Sequence, residues 1–132
     1  MAEVEFVLSF SPSDSTGQIP VFHPGASIGG TIQVTPQENL NCRHLFARLR
    51  WYTEGRGDMD MQVLAEQDLH QGELRAGVPF YSRFQFRLPM QPWSYTGHYV
   101  NIIWEVEAVI DLALARDPRA GLRFILAPEA RR

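Results

Sequence analysis

Apolar and polar residues take turns along most of the chain. Val4, Phe6, Leu8 and Phe10 fall on one side of an extended segment, with Glu3, Glu5 and Ser9 on the other. A period of two marks a strand with one buried and one wet face, so a first strand is expected over residues 3–10. The pattern returns with Ile28, Ile32 and Val34 against Thr31, Gln33 and Thr35. Gly29 and Gly30 inside that run suggest a bulge or a close backbone approach. Leu45, Ala47, Leu49 and Trp51 alternate with His44, Phe46, Arg48, Arg50 and Tyr52. Phe80, Phe84, Phe86 and Leu88 oppose Arg83, Gln85 and Arg87. The longest run puts Val100, Ile102, Trp104, Val106, Ala108 and Ile110 inward, with Asn101, Glu105, Glu107 and Asp111 outward. Leu122, Phe124 and Leu126 form a last strand, and Ile19–Phe22 a short one that Pro20 keeps at a sheet edge.

Turn residues separate these runs: SPSDSTG at 11–17, His23-Pro24-Gly25, Gly55 and Gly57, Gln71-Gly72, Ala76-Gly77, the corner from Pro89 through Pro92 to Gly97, and Pro118. Residues 59–69 fit two periods. Met59, Met61 and Val63 suit a strand, whereas Met61, Leu64, Ala65 and Asp68 suit a short helix. Strand is preferred, because a lone helix among strands would conflict with its neighbours. The expectation is an all-β, immunoglobulin-like sandwich of two antiparallel sheets with seven or eight strands. The strands on either side of the Pro-rich corner form its middle.

The 132 residues suit one domain, 1–132, large enough to bury a core without a disulfide or a metal. A net charge of −3 speaks against a nucleic-acid partner, which draws on a basic field. The single cysteine, Cys42, allows no internal disulfide and suits a reducing compartment. MAEVEFVLSF lacks the basic start and apolar run of a leader, and no apolar stretch is long enough to span a membrane as a helix. A cytoplasmic location is the expectation.

Four groups of residues resemble the N-terminal domain of arrestins and arrestin-like proteins. Pro24-Gly25 followed by Gly30-Thr31-Ile32-Gln33-Val34 is similar to an early run of that family. Leu49-Arg50-Trp51-Tyr52-Thr53-Glu54-Gly55 is similar to a family strand ending in a polar residue and glycine. Phe84-Gln85-Phe86-Arg87-Leu88-Pro89, then Pro92, Ser94 and Gly97, is the fullest match. Ile103-Trp104-Glu105-Val106-Glu107-Ala108 is the fourth, with Trp104 where the family usually has tyrosine. The resemblance runs from residue 4 to 126 and implies a rigid, non-catalytic platform for protein contacts. Arrestins carry two sandwiches in tandem, and this chain has room for one. No residues map onto the charged network with which arrestins sense phosphates, so that recognition does not carry over.

Candidate chemistry is sparse. Glu54, Asp58, Asp60, Glu66 and Asp68 cluster near one connection, as oxygen ligands for a hard cation or as a solvated acidic turn. The twelve-residue calcium loop is absent, so no metal is expected. Arg56-Gly57-Asp58 is an adhesion tripeptide that also arises by chance. His23, His44, His70 and His98 are scattered, and Ser94 near His98 lacks the glycine-framed elbow of a nucleophile. Arg43 and His44 beside Cys42 would lower the pKa of a reactive thiol, but a passive thiol is the preferred reading. No catalytic residues and no cofactor are expected.

Trp93 and Tyr95 in the corner serve either as interface anchors or as a plug over the sandwich end. Arg48 and Arg50 match Glu105 and Glu107 across strands, or offer a binding surface. Phe46, Ile103 and Ile125 add apolar side chains to a nominally wet face, which suggests that something covers it. The expected function is therefore an adaptor, a scaffold or a subunit of a larger assembly, with a protein partner or self-association. The alternative is a sandwich whose 92–99 loop stacks Trp93, Tyr95 and Tyr99 on a small ligand or carbohydrate. A small-molecule ligand is the less favoured partner.

Overall fold

The computed structural model describes residues 3–11, 18–57, 59–97, 100–113 and 115–128. Asp58, His98 and Tyr99, which enter the acidic, catalytic and sugar-stacking readings, lie outside the described residues. Among the described residues there are nine strands and no helix: β1 (Val4–Phe10), β2 (Val21–Phe22), β3 (Ser27–Pro36), β4 (Leu40–Gly55), β5 (Met61–Leu74), β6 (Phe80–Arg87), β7 (Tyr95–Thr96), β8 (Val100–Asp111) and β9 (Arg119–Leu126). A three-stranded sheet runs β1-β3-β6. A six-stranded sheet runs β2-β9-β8-β4-β5, with β7 also pairing β8.

The two inner faces meet as alternation requires. Ile28, Ile32 and Val34 of β3, Phe84 and Phe86 of β6, Leu45, Ala47 and Leu49 of β4, and Trp104, Val106, Ala108 and Ile110 of β8 share one core. Phe10 closes an end of it, meeting Phe22, Phe84 and Phe124 edge-on at centroid distances of 5.1, 6.0 and 5.8 Å. Each such pair adds to the area term because the ring edge is positive and the ring face negative.

Strand holds from Met61 onward, as preferred over helix, with Met59 and Asp60 outside it, and β5 continues to Leu74. The turn expected at Gln71-Gly72 does not form. Gly72 pairs with Cys42 inside the ladder, where a register shift follows it, and its φ of 119° suits only glycine. Gly29 and Gly30 carry no bulge, because the register from Ser27 to Val34 is unbroken. The close approach is the correct alternative: a Cβ on Gly30 would stand 2.1 Å from the Ser9 carbonyl oxygen and 2.5 Å from the Phe84 ring. Both sheets are antiparallel except where β2 joins β9 in parallel for two residues. The inward face of β8 starts at Trp104. Ile102, also expected inside, is partly exposed, because β9 has left β8 by that point and the two-residue β7 replaces it.

Gly30→Ala is expected to destabilise the fold by about 3 kcal/mol, since Ser9 is backbone and Phe84 is packed in the core. A urea midpoint equal to that of the native chain would contradict this placement.

Candidate interaction surface

Two features of the six-stranded sheet come together at one end of the sandwich. The first is the corner between β6 and β8. Trp104, fully buried, donates its indole N–H to the Pro92 carbonyl oxygen at 2.7 Å. Ser94 is stitched to the end of β9: its N–H donates to the Leu126 carbonyl at 2.8 Å, and its Oγ accepts from the Leu126 N–H at 2.9 Å. Trp93 donates its own indole N–H to the Met90 carbonyl at 3.0 Å. The corner backbone is therefore fixed to the core, yet Trp93 and Tyr95 stay 51% and 55% exposed. Trp104, and not Trp93, plugs this end. Tyr95 forms a ridge between two hollows. One, of about 370 Å³, is lined by Ile19, Ile102, Ile103 and Ile125 with Arg123 and Glu54 at hand. The other, of about 660 Å³, is lined by Met90, Pro92, Trp93 and Ile102.

The second feature is the outer face of the sheet, where register sorts the side chains into rows across β9, β8, β4 and β5. Ile103 pairs with Tyr52, and Tyr52 with Met61. Ile125 stands one residue beyond the Trp104–Phe124 pair and so beside Ile103. The next row is Arg123–Glu105–Arg50–Val63, then Gly121–Glu107–Arg48–Glu66, then Arg119–Val109–Phe46–Asp68.

The charges in these rows satisfy one another. Arg50 grips Glu105 through Nε at 2.7 Å and through Nη2, and reaches Glu107 at 3.5 Å. Arg48 turns the other way, to Glu66 on β5, so only Arg50 makes the pairing with β8 acids expected of both. Arg119 approaches Glu107 from β9 at 3.8 Å. Glu105 and Glu107 are buried although they point away from the core. Gly121 makes room for this, since a Cβ there would stand 2.1 Å from Glu105 Oε2. Arg48 also lies over the Phe46 ring at 5.0 Å and Arg50 over Tyr52 at 4.7 Å. Burial, and after it the Glu105 carboxylate, push the Tyr52 hydroxyl above its ordinary pKa. Of the residues singled out in the sequence, Tyr95, Ile103 and Ile125 meet around one hollow. Phe46, Arg48 and Arg50 lie further along the same face, and Trp93 lies in the neighbouring hollow.

The remaining candidates separate. Cys42 is buried and donates to the Gly72 carbonyl at 3.2 Å, and burial pushes its thiol pKa up. Arg43 and His44 do not activate it, because they are engaged with Asp111 and Asp68, each at 2.7 Å. Glu66 and Asp68 pair with β4 side chains, and no three His, Cys, Asp or Glu converge as a metal site among the described residues. Ser94 Oγ accepts the Leu126 N–H at 2.9 Å. No helix among the described residues is long and apolar enough to cross a membrane.

No protein-family model and no curated protein matches the sequence. Among solved structures, the chain is similar to Spo0M, a sporulation control protein from Bacillus subtilis, with a TM-score of 0.69 at 15% identity. The match covers 97% of this chain and 50% of Spo0M, so the chain spans half the length of that protein. At that identity the likeness speaks to fold, and it agrees with the motifs. The fold is the all-β, immunoglobulin-like sandwich of the arrestin type.

The Gln71 amide and, after it, His44 hold the Asp68 carboxyl below the ordinary carboxylate range. A depressed carboxylate pKa stabilises the fold above the unfolded value, and that stability is lost as pH falls through the folded one. The urea midpoint should therefore drop on acidification below about pH 4, and less steeply in Asp68→Asn. Parallel pH profiles for the two chains would contradict the assignment.

Proposed function

We propose that this chain is a non-catalytic interaction module of arrestin-like type, acting as an adaptor or as a subunit of a larger assembly, and that it docks a protein partner through the corner carrying Trp93 and Tyr95. The observation that carries the reading is the combination of fixed backbone and exposed ring. Hydrogen bonds from Trp104 and around Ser94 order the loop before any partner arrives. Little conformational entropy is then left to lose on binding, which is what lets a few aromatic anchors dominate an interface. Met90, 65% exposed, extends the apolar area beside them. Spo0M is named as a control protein, which is in keeping with a regulatory role carried by contacts.

The sugar-platform reading draws on the same exposure of Trp93 and Tyr95. It is weaker because recognition of a sugar also needs polar groups converging beside the rings. The Trp93 hollow offers Gln91, Ser94 and the Tyr95 hydroxyl, and the Ser94 Oγ already accepts a backbone hydrogen bond.

The test compares the chain with a Trp93→Ala/Tyr95→Ala double variant, both immobilised and exposed to extract of the source cell. Proteins retained by the native chain should be lost from a variant whose melting temperature is unchanged. An identical retained set would contradict the corner as the docking site. Tryptophan fluorescence titrated with oligosaccharides separates the two readings: a saturable change would favour the sugar platform.

A further inference from the structure

The outer face of the six-stranded sheet is patterned in a second way. Its charges form columns along the strands: Arg119 and Arg123 on β9, Glu105 and Glu107 on β8, Arg48 and Arg50 on β4, Glu66 and Asp68 on β5. The sign alternates from strand to strand. In the centre Glu105 and Glu107 are buried beside Arg50, while Arg48 turns to Glu66 of β5. The outer columns stay accessible, with the Arg119 and Arg123 side chains half exposed and those of Glu66 and Asp68 about a third or more. The face thus has a basic rim on β9, an acidic rim on β5, and an apolar row of Ile125, Ile103, Tyr52 and Met61 across one end.

The geometry points to a second copy of this chain as the occupant of that face, related by a two-fold axis that runs along the strands between β8 and β4. Such an axis lays β9 of one copy on β5 of the other and β8 on β4, while each row stays opposite the same row. Basic rim then meets acidic rim, with Arg119 over Asp68, and the apolar row meets itself, with Ile125 over Met61 and Ile103 over Tyr52. No like charges are opposed. An axis across the strands would set each column on its own copy, arginine on arginine and glutamate on glutamate, so the pattern selects one of the two arrangements. Aligned strands also suit face-to-face sheet packing. Four strands at about 4.8 Å and some ten residues at about 3.3 Å make a face of roughly 19 by 30 Å, toward the lower end of what each partner gives to a stable interface. An isologous contact of this kind needs a self-complementary patch, which this face supplies. The inference is distinguishable from the docking role of the corner through Trp93, which lies in the neighbouring hollow, whereas Tyr95 shares a hollow with Ile103 and Ile125 at the end of the contact.

Sedimentation velocity tests it with two charge reversals. The native chain should be a dimer at micromolar concentration. Arg119→Asp and Asp68→Arg should each weaken the dimer by about 100-fold, by setting like charges opposite one another at two symmetry-related places. Mixing the two variants should restore a dimer containing one of each, since every rim contact then joins opposite charges again. Met61→Arg, at an exposed side chain outside the core, should also give a monomer, whereas Trp93→Ala should leave the dimer intact. A native chain that stays monomeric at high concentration would overturn the proposal, including one whose face is covered by a different protein. So would a dimer that survives both reversals, or a mixture that stays monomeric.

Discussion

Twelve consecutive residue pairs lock β4 to β8 without a break, from His44–Asp111 to Gly55–Val100. Both faces of the larger sheet follow from that register. On the inner side it sets Leu49 beside Val106 and Ala47 beside Ala108. On the outer side it sets Arg50 beside Glu105. Because side chains alternate, a slip of one residue would exchange the two sets and drive Glu105 and Glu107 into the core. An unpaired buried carboxylate costs several kcal/mol, so the register is specified from both faces at once.

The same pairing organises the surface. Arg50 pairs with both buried carboxylates of the outer face, and Arg119 reaches the second of them from β9. Breaking that cluster from one side would cost far more than replacing the whole of it with apolar groups, so its value lies in fixing the arrangement rather than in adding stability. The groups that keep solvent exposure are at the margins of the face: the rims on β9 and β5, whose charges also pair within the chain, the apolar row, and the corner beyond it. The corner in turn depends on β8, because the indole that fixes Pro92 belongs to Trp104.

Strands and inner faces were legible in the sequence because a period of two writes burial directly into the residue order. Phe84, Phe86, Trp104, Val106 and Ile110 lie in the core as the alternation requires. What the pattern does not contain is partnership. It could not say that Arg48 turns to Glu66 while Arg50 turns to Glu105, since that depends on which strand lies on which side. It could not separate a plug from an exposed anchor at Trp93, because the deciding hydrogen bond comes from a residue eleven positions later. Gly72 reads as a turn by composition, and its pairing with Cys42 outweighs that local preference. The β2–β9 contact is two residues long, too short for any periodicity. The outward apolar residues were visible singly. The alignment of Ile103 and Ile125 into one row with Tyr52 and Met61, apart from Phe46, needed the register.

Native-state hydrogen exchange tests the primacy of the β4–β8 pairing most directly, since it ranks elements by the free energy needed to open them. The amides of residues 45–51 and 104–110 should be the slowest in the chain and should exchange only through global unfolding. Exchange of those amides by local opening, as fast as in β2 or in the Met61–Leu64 end of β5, would contradict the account.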